Sequence, residues 1–405
     1  MKICDLTQFY SPASGGVKRY IGEKIAWMRR HRPDWQHVLI VPGVETRVSG
    51  DALARVQEIQ APMISRATQY RALLNLTAVS DAIESEHPDL IECSDPYQLA
   101  WRAQSTGRSL GIPVVGYYHS HFAEAYVQPV ARKWFGDFGA QLVMDVARSY
   151  TRHTYNDFDR TLVPSPALAT ILQEWGVNNI SVAELGMDGE KFFPSGDPAA
   201  SARTELGIPA DVCLLFYLGR LAAEKNVATL LDAFSELHRR GPGRFHLLVA
   251  GDGNERDAVA ALREATGAVT WQATIAPEQL PRLYRAADLF VHPGVLETFG
   301  LVTLEAQACG TPVCGIRGSR MDRIVFAGLE DWASENSSVA LADAIERMRA
   351  RDLRALGRAA AAAVASRYDW SVAFKRIFAI YDELILARTP NRSRDRRNQA
   401  GGRNV

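Results

Sequence analysis

Strand-like runs alternate with helical patterns along nearly the whole chain, and this alternation limits the possible folds more than any other feature. Lys2–Leu6, His37–Val41, Asp89–Cys93, Pro113–His119 and Arg160–Val163 read as strands of one parallel sheet. Cys213–Gly219, Phe245–Ala250, Ala268–Trp271, Asp288–His292 and Pro312–Ile316 read as strands of a second. Val227, Leu230, Leu231, Phe234 and Leu237 keep helical spacing, and Gly241-Pro242-Gly243 stops that helix. Strands separated by helices need crossover connections, which give parallel sheets with helices on both faces. Two such sets in 405 residues predict an α/β chain of two Rossmann-like, doubly wound domains.

Composition narrows the class. Hydrophobic residues make up 47% and charged residues 23%, the balance of a water-soluble globular protein. Net charge is zero, which gives no bulk attraction to nucleic acid or to an anionic membrane. The sequence has no apolar run of about 18 residues, so no transmembrane helix is expected. The segment MKICDLTQFY lacks the apolar core of a signal peptide. Cys4, Cys93, Cys213, Cys309 and Cys314 are odd in number and scattered, which suits reduced, buried thiols and a cytoplasmic location. HxxxH and CxxC spacings are absent, and no DxD stands at a strand end, so no metal site is expected.

Glu297 and Glu305 stand eight residues apart in HPGVLETFGLVTLEAQACGTPV, residues 292–313. Gly310 and Pro312 stop a helix, which places a short helix from about Phe299 to Cys309. Glu297 then precedes the helix and Glu305 lies about 7 Å along it. The helix N-terminal amides between them attract anions. Such a layout suits a ligand with hydroxyls at both ends and a diphosphate in the middle, a nucleotide-sugar. Gly219-Arg220-Leu221-Ala222-Ala223-Glu224-Lys225 follows a predicted strand, so Arg220 sits at a strand's carboxyl end and Lys225 begins the next helix. Near the N-terminus, Ser14-Gly15-Gly16-Val17 is a glycine-rich loop between strand and helix, where backbone amides approach a phosphate closely.

These three motifs, in this order, resemble the retaining glycosyltransferases of family 4, which have the GT-B fold. The resemblance covers about residues 1–388. It implies two Rossmann-like domains facing across a cleft: an acceptor-side domain over 1–187 and a nucleotide-sugar domain over 188–370. A helix over 371–388 would cross back to the first domain. The junction is expected near Ala183–Phe193, and the Arg-rich segment 389–405 is expected to be disordered.

The resemblance also distributes roles. Arg220 and Lys225, with Gly219, become the diphosphate clamp. Glu297, with the amides of Phe299, Gly300 and Leu301, takes the transferred hexose, and Glu305 takes the ribose. Gly15 and Gly16 add to donor binding. His119, preferred over His121 because it directly follows a strand, stands near the anomeric carbon. Catalysis is thus assigned to His119, Arg220, Lys225 and Glu297. No cofactor or metal is implied, since the two cations can do the work of Mg²⁺.

The family often has a glycine in the loop around Gln272–Ile275, where this chain reads TWQATI, so the base is left open between GDP and UDP. The wording ETFGL with CGTPV leans to GDP-mannose. The implied partners are a nucleotide-sugar donor and a glycan, lipid or small-polyol acceptor. Peripheral contact with the inner face of the membrane, as lipid-acceptor members of the family make, would use the basic helix Val17–Arg32 with its Trp27 and Met28; a solvated amphipathic face is the alternative reading. Over residues 1–185, however, 18 Lys and Arg face 19 Asp and Glu. Two other classes fit Rossmann domains. A nicotinamide oxidoreductase would need GxGxxG, which is missing. A non-catalytic sugar-nucleotide-binding subunit would differ only in turnover.

Overall fold

The computed structural model describes residues 1–11, 16–64, 69–119, 124, 127–195 and 199–401. The chain forms two compact units. One is Met1–Leu185 with Ser371–Val405, the other Gly186–Trp370.

In the first unit the elements follow as β1 (Lys2–Leu6), α1 (Gly16–His31), β2 (Gln36–Gly43), β3 (Arg47–Gly50), β4 (Ala54–Gln60), α2 (Leu76–Glu86), β5 (Leu90–Cys93), α3 (Gln98–Leu110), β6 (Val114–Tyr117), α4 (Gln128–Asn156), β7 (Arg160–Val163), α5 (Pro166–Glu174) and β8 (Ile180–Val182). The sheet order is β3-β4-β2-β1-β5-β6-β7-β8. Every pairing is parallel except that of β3 with β4. β5 and β6 are buried at all positions, as strands covered on both faces must be. Helix ends follow local chemistry. The Ser165 hydroxyl accepts from Leu168 N–H ahead of Pro166 in the first turn of α5. Gly111 closes α3 in the left-handed conformation.

The second unit contains α6 (Ala199–Glu205), β9 (Cys213–Leu218), α7 (Val227–Arg240), β10 (Phe245–Ala250), α8 (Arg256–Thr266), β11 (Val269–Gln272), α9 (Leu280–Ala286), β12 (Leu289–His292), α10 (Leu301–Ala308), β13 (Val313–Gly315), α11 (Ser338–Arg349) and α12 (Leu353–Arg367). Its sheet is parallel throughout, in the order β11-β10-β9-β12-β13. β9 is the first strand of this unit and lies between the second and the fourth. The chain therefore winds away from β9 in both directions, which opens a crevice at the carboxyl ends of β9 and β12.

The last helix, α13 (Trp370–Gly401), packs on the first unit. Its helical backbone runs past residue 388 as far as Gly401. Once a helix has nucleated, adding residues costs little, and Arg and Gln are good helix formers.

A buried charge cluster joins this helix to the sheet. Lys24 of α1 is fully buried. Its Nζ lies 2.8 Å from Asp5 Oδ1 on β1, 2.9 Å from Glu92 Oε1 on β5 and 3.3 Å from the Tyr381 hydroxyl on α13. The Tyr381 hydroxyl donates to Glu92 Oε2, Tyr20 reaches the same oxygen at 3.2 Å, and His37 Nε2 meets Asp5 Oδ2 at 2.9 Å. Burial would lower the Lys24 pKa, but the two carboxylates outweigh it and raise it.

α1 corrects one expectation. Trp27 and Met28 do not tip a membrane-facing surface; both are buried, and Trp27 packs against Phe374 and Phe378 of α13. Lys24 is equally withdrawn from any such surface. The apolar positions of α1 are used up in covering the sheet and the last helix. Among the described residues, no helix is long and apolar enough to cross a membrane. All five cysteines are free and buried.

Removing the ammonium strands two carboxylates in the core. Lys24→Met is expected to cost about 3–5 kcal/mol of stability in chemical denaturation. Arg29→Met, whose ion pair with Asp51 is exposed, is expected to leave the denaturation midpoint nearly unchanged.

Candidate functional site

The crevice between β9 and β12 gathers most of the residues expected to bind a ligand. Gly219 and Arg220 follow β9 directly. Lys225 does not begin a helix as the sequence suggested. It closes a single 3-10 turn, Ala223–Lys225, and α7 starts at Val227. Asn226 makes the joint with φ 57°, a left-handed conformation that Asn tolerates better than most residues. Its side-chain amide donates to the Pro293 carbonyl at 2.9 Å, which ties the loop after β9 to the loop after β12.

Lys225 Nζ lies 2.6 Å from Glu297 Oε2. His292, the last residue of β12, stands behind them with its Nε2 at 3.7 Å from the same oxygen. The His292 Nδ1 accepts from Gly294 N–H at 3.2 Å, which leaves the ring proton on Nε2, facing the carboxylate. Burial would raise the Glu297 carboxyl, but Lys225 and then His292 hold it well below the usual range. Glu297 is therefore an anion at every working pH. Arg220 pairs with Glu224 at 2.7 Å and is 46% exposed, so this pair is weak and a phosphate can recruit the guanidinium.

α10 starts at Leu301, with Gly300 before it at φ 90°. A Cβ there would enter the left-handed region and press on Met321 and Ile324, at 3.1 and 3.2 Å. No side chain caps this helix start, which leaves its positive end for an incoming anion. Phe299 is buried with its ring edge-on to Tyr368, so only its backbone is available to a ligand. Glu305 is buried inside α10, and its Oε2 accepts from the Tyr284 hydroxyl at 3.1 Å.

The sequence reading missed the floor of the site. Gly251 and Gly253 follow β10 and pack against the backbone of Gly219 and Leu221. Leu221 N–H donates to Asp252 O at 3.0 Å, and Glu255 N–H donates to Leu221 O at 2.9 Å. Trp271 Nε1 donates to Gly251 O at 2.8 Å, which buttresses the same turn from β11. The signal was present as a GDG triplet at a strand's carboxyl end. His292 was visible by the same rule that singled out His119.

His119 belongs to the first unit. It stands two residues past β6, its ring stacked on Tyr117 at 3.9 Å and tilted to Tyr20 at 5.1 Å. Desolvation, followed by the nearby Lys24, pushes its pKa down to about 3. The imidazole is therefore neutral near pH 7. Gly16 opens α1, whereas Gly15 and His121 lie outside the described residues. Among the described residues, no group of three or more His, Cys, Asp or Glu is placed to hold a metal.

A family model described as Glycosyltransferase Family 4 matches residues 14–191, and one described as Glycosyl transferases group 1 matches residues 200–360. The chain is 29% identical to the GDP-mannose-dependent alpha-(1-6)-phosphatidylinositol dimannoside mannosyltransferase of Mycobacterium tuberculosis, over 87% of this chain and 89% of the relative. It is 26% identical to the GDP-mannose-dependent alpha-mannosyltransferase of Corynebacterium glutamicum, over 80% and 74%. Its fold matches sucrose-phosphate synthase of Thermosynechococcus elongatus with TM-score 0.75 at 22% identity, over 95% and 99%.

Two outcomes test this geometry. A Cβ at Gly251, where φ is 136°, would stand 1.9 Å from the Gly219 carbonyl oxygen. Gly251→Ala is expected to cost about 2 kcal/mol or more in chemical denaturation and to weaken ligand binding through the displaced turn. The unfolded chain protonates His119 near 6.5 and the folded chain only near 3, so the folded state loses stability as pH falls through that window. Between pH 6.5 and about 4, thermal melts should decline more steeply for the wild type than for His119→Phe.

Proposed function

Because the chain belongs to glycosyltransferase family 4 and has its GT-B fold, we propose that it is a retaining mannosyltransferase that moves mannose from GDP-mannose to an acceptor hydroxyl. The chain is a glycosyltransferase that draws on nucleotide sugars. The observation that carries the finer reading is the cluster at the β9–β12 crevice: Arg220, Lys225 and Glu297 beside the uncapped start of α10. GDP-mannose is favoured because the two curated relatives above are named for it.

In this reading Arg220 and Lys225 meet the donor diphosphate. Negative charge grows on the β-phosphate as the bond to the anomeric carbon breaks, so two fixed cations stabilise the transition state more than the ground state. Lys225 exchanges part of its pairing with Glu297 for a phosphate oxygen. Glu297, always ionised, then accepts hydrogen bonds from mannose hydroxyls. The amides of Phe299, Gly300 and Leu301 bind the same sugar, and Glu305 takes the ribose. His119, neutral, orients the sugar or the acceptor. The acceptor oxygen bonds to the anomeric carbon on the face the phosphate leaves, and its proton passes to the departing β-phosphate oxygen. Configuration is retained, and no enzyme nucleophile is required. The two cations supply the charge neutralisation, so catalysis needs no metal.

A thermal-shift panel of nucleotide sugars tests the donor, since a ligand that binds the native state raises the melting temperature by mass action. GDP-mannose should give the largest shift, and a larger one from UDP-glucose would overturn the choice of base. Arg220→Ala combined with Lys225→Ala should lower kcat by about 100-fold or more. Activity of the wild type should persist in EDTA, and a strict Mg²⁺ requirement would remove the metal-free mechanism.

A further inference from the structure

Asp95 in the first unit is a buried carboxylate with one oxygen unclaimed. It stands two residues beyond β5, at the carboxyl ends of β1 and β5, where this sheet also winds away in both directions. It is 1% exposed. Its Oδ2 accepts from Gln8 N–H at 2.8 Å with Thr7 beside it, whereas Oδ1 has no hydrogen-bond partner. The other buried carboxylates of this sheet, Asp5 and Glu92, are fully engaged with Lys24, His37 and tyrosines. An unmade hydrogen bond on a buried carboxylate is costly, and a fold retains that cost where a ligand completes the set. Burial pushes the Asp95 carboxyl up to about 7, against the two hydrogen bonds that favour the anion.

The surroundings narrow the ligand. Gln98 Nε2 donates to Gln8 Oε1 at 3.1 Å, and Gln8 is the residue whose backbone N–H holds Asp95, so a pair of amide side chains belongs to the same cluster. Phe9, three residues past β1, meets Tyr97 at 6.1 Å and Tyr70 at 5.5 Å, and all three rings are half-buried. A carboxylate and two amides match hydroxyl groups, while aromatic faces match the C–H faces of a saturated ring. A carboxylate repels phosphate, and a flexible acyl chain has no use for it. We propose that Asp95, with the Gln8–Gln98 amides and the Phe9 and Tyr97 rings, selects the acceptor and takes a neutral ring polyol, a pyranose or a cyclitol, one of whose hydroxyls donates to Asp95 Oδ1. This rests on the glycosyltransferase reading and names the class of its second substrate.

Asp95→Asn keeps shape and the oxygen that Gln8 needs but replaces the free acceptor with a donor. With saturating GDP-mannose and the full chain, methyl α-mannoside and myo-inositol are offered as acceptors, beside glycerol and octanol. The wild type should transfer to one of the two ring compounds, and which one distinguishes a glycan end from a cyclitol. Asp95→Asn should raise KM for that acceptor about tenfold or more, with donor KM within twofold of wild type. Tyr97→Leu should raise the same KM severalfold, and it carries the test if Asp95→Asn fails to fold. Calorimetric titration of the ring compound without donor should show the same loss. Transfer only to glycerol or octanol, an unchanged acceptor KM in both variants, or an equal rise in donor KM would each overturn the assignment. Absence of donor turnover in the wild type would instead show that the glycosyltransfer reading has failed.

Discussion

Two parallel strands whose onward connections leave in opposite directions set the terms for the whole second unit. Between β9 and β12 no helix can cover the sheet's carboxyl edge, so side chains and backbone amides there face open space. Arg220, Lys225, His292 and Glu297 stand on that edge within a few residues of a strand end. The chain fills this space with opposite charges in close pairs rather than with apolar groups. Such pairs hold the loops in shape, and an anionic ligand can replace one partner with its own oxygen atoms. The glycines at 251 and 253 belong to the same logic, because the clamp loop can come this close to its neighbour only if that neighbour carries no Cβ.

The first unit repeats the geometry at β1 and β5 with a different filling. Below the strand ends, Lys24 binds two carboxylates deep in the sheet. At the strand ends themselves stand Asp95, paired amides and aromatic rings. The crevice of one unit is rich in cations, and that of the other in carboxylate, amide and aromatic groups.

Most of this architecture was legible in the sequence, for physical reasons that differ by element. β1, β7 and β10 are compact apolar runs bounded by polar residues or glycines, and they match the expected spans. β3 and β4 were not foreseen, because β3 is exposed at every position and carries no burial pattern. β8, three residues long and half exposed, left an equally faint trace. The E-x7-E spacing placed α10 to within two residues at its start. The sequence left the role of α1 open, since a basic helix with Trp and Met looks the same whether its apolar face meets lipid or another helix. Lys24 shows the limit most clearly: only the tertiary structure reveals that Asp5, Glu92 and Tyr381, distant in sequence, surround one ammonium.

That last contact crosses almost the full length of the polypeptide. Tyr381 and the aromatic residues of α13 complete a core begun by the first thirty residues, after the chain has left to build the entire second unit. A nascent chain that has not yet reached Tyr381 therefore holds a lysine–carboxylate knot short of one hydroxyl and a Trp27 without its cover, so this core is completed only once α13 is made.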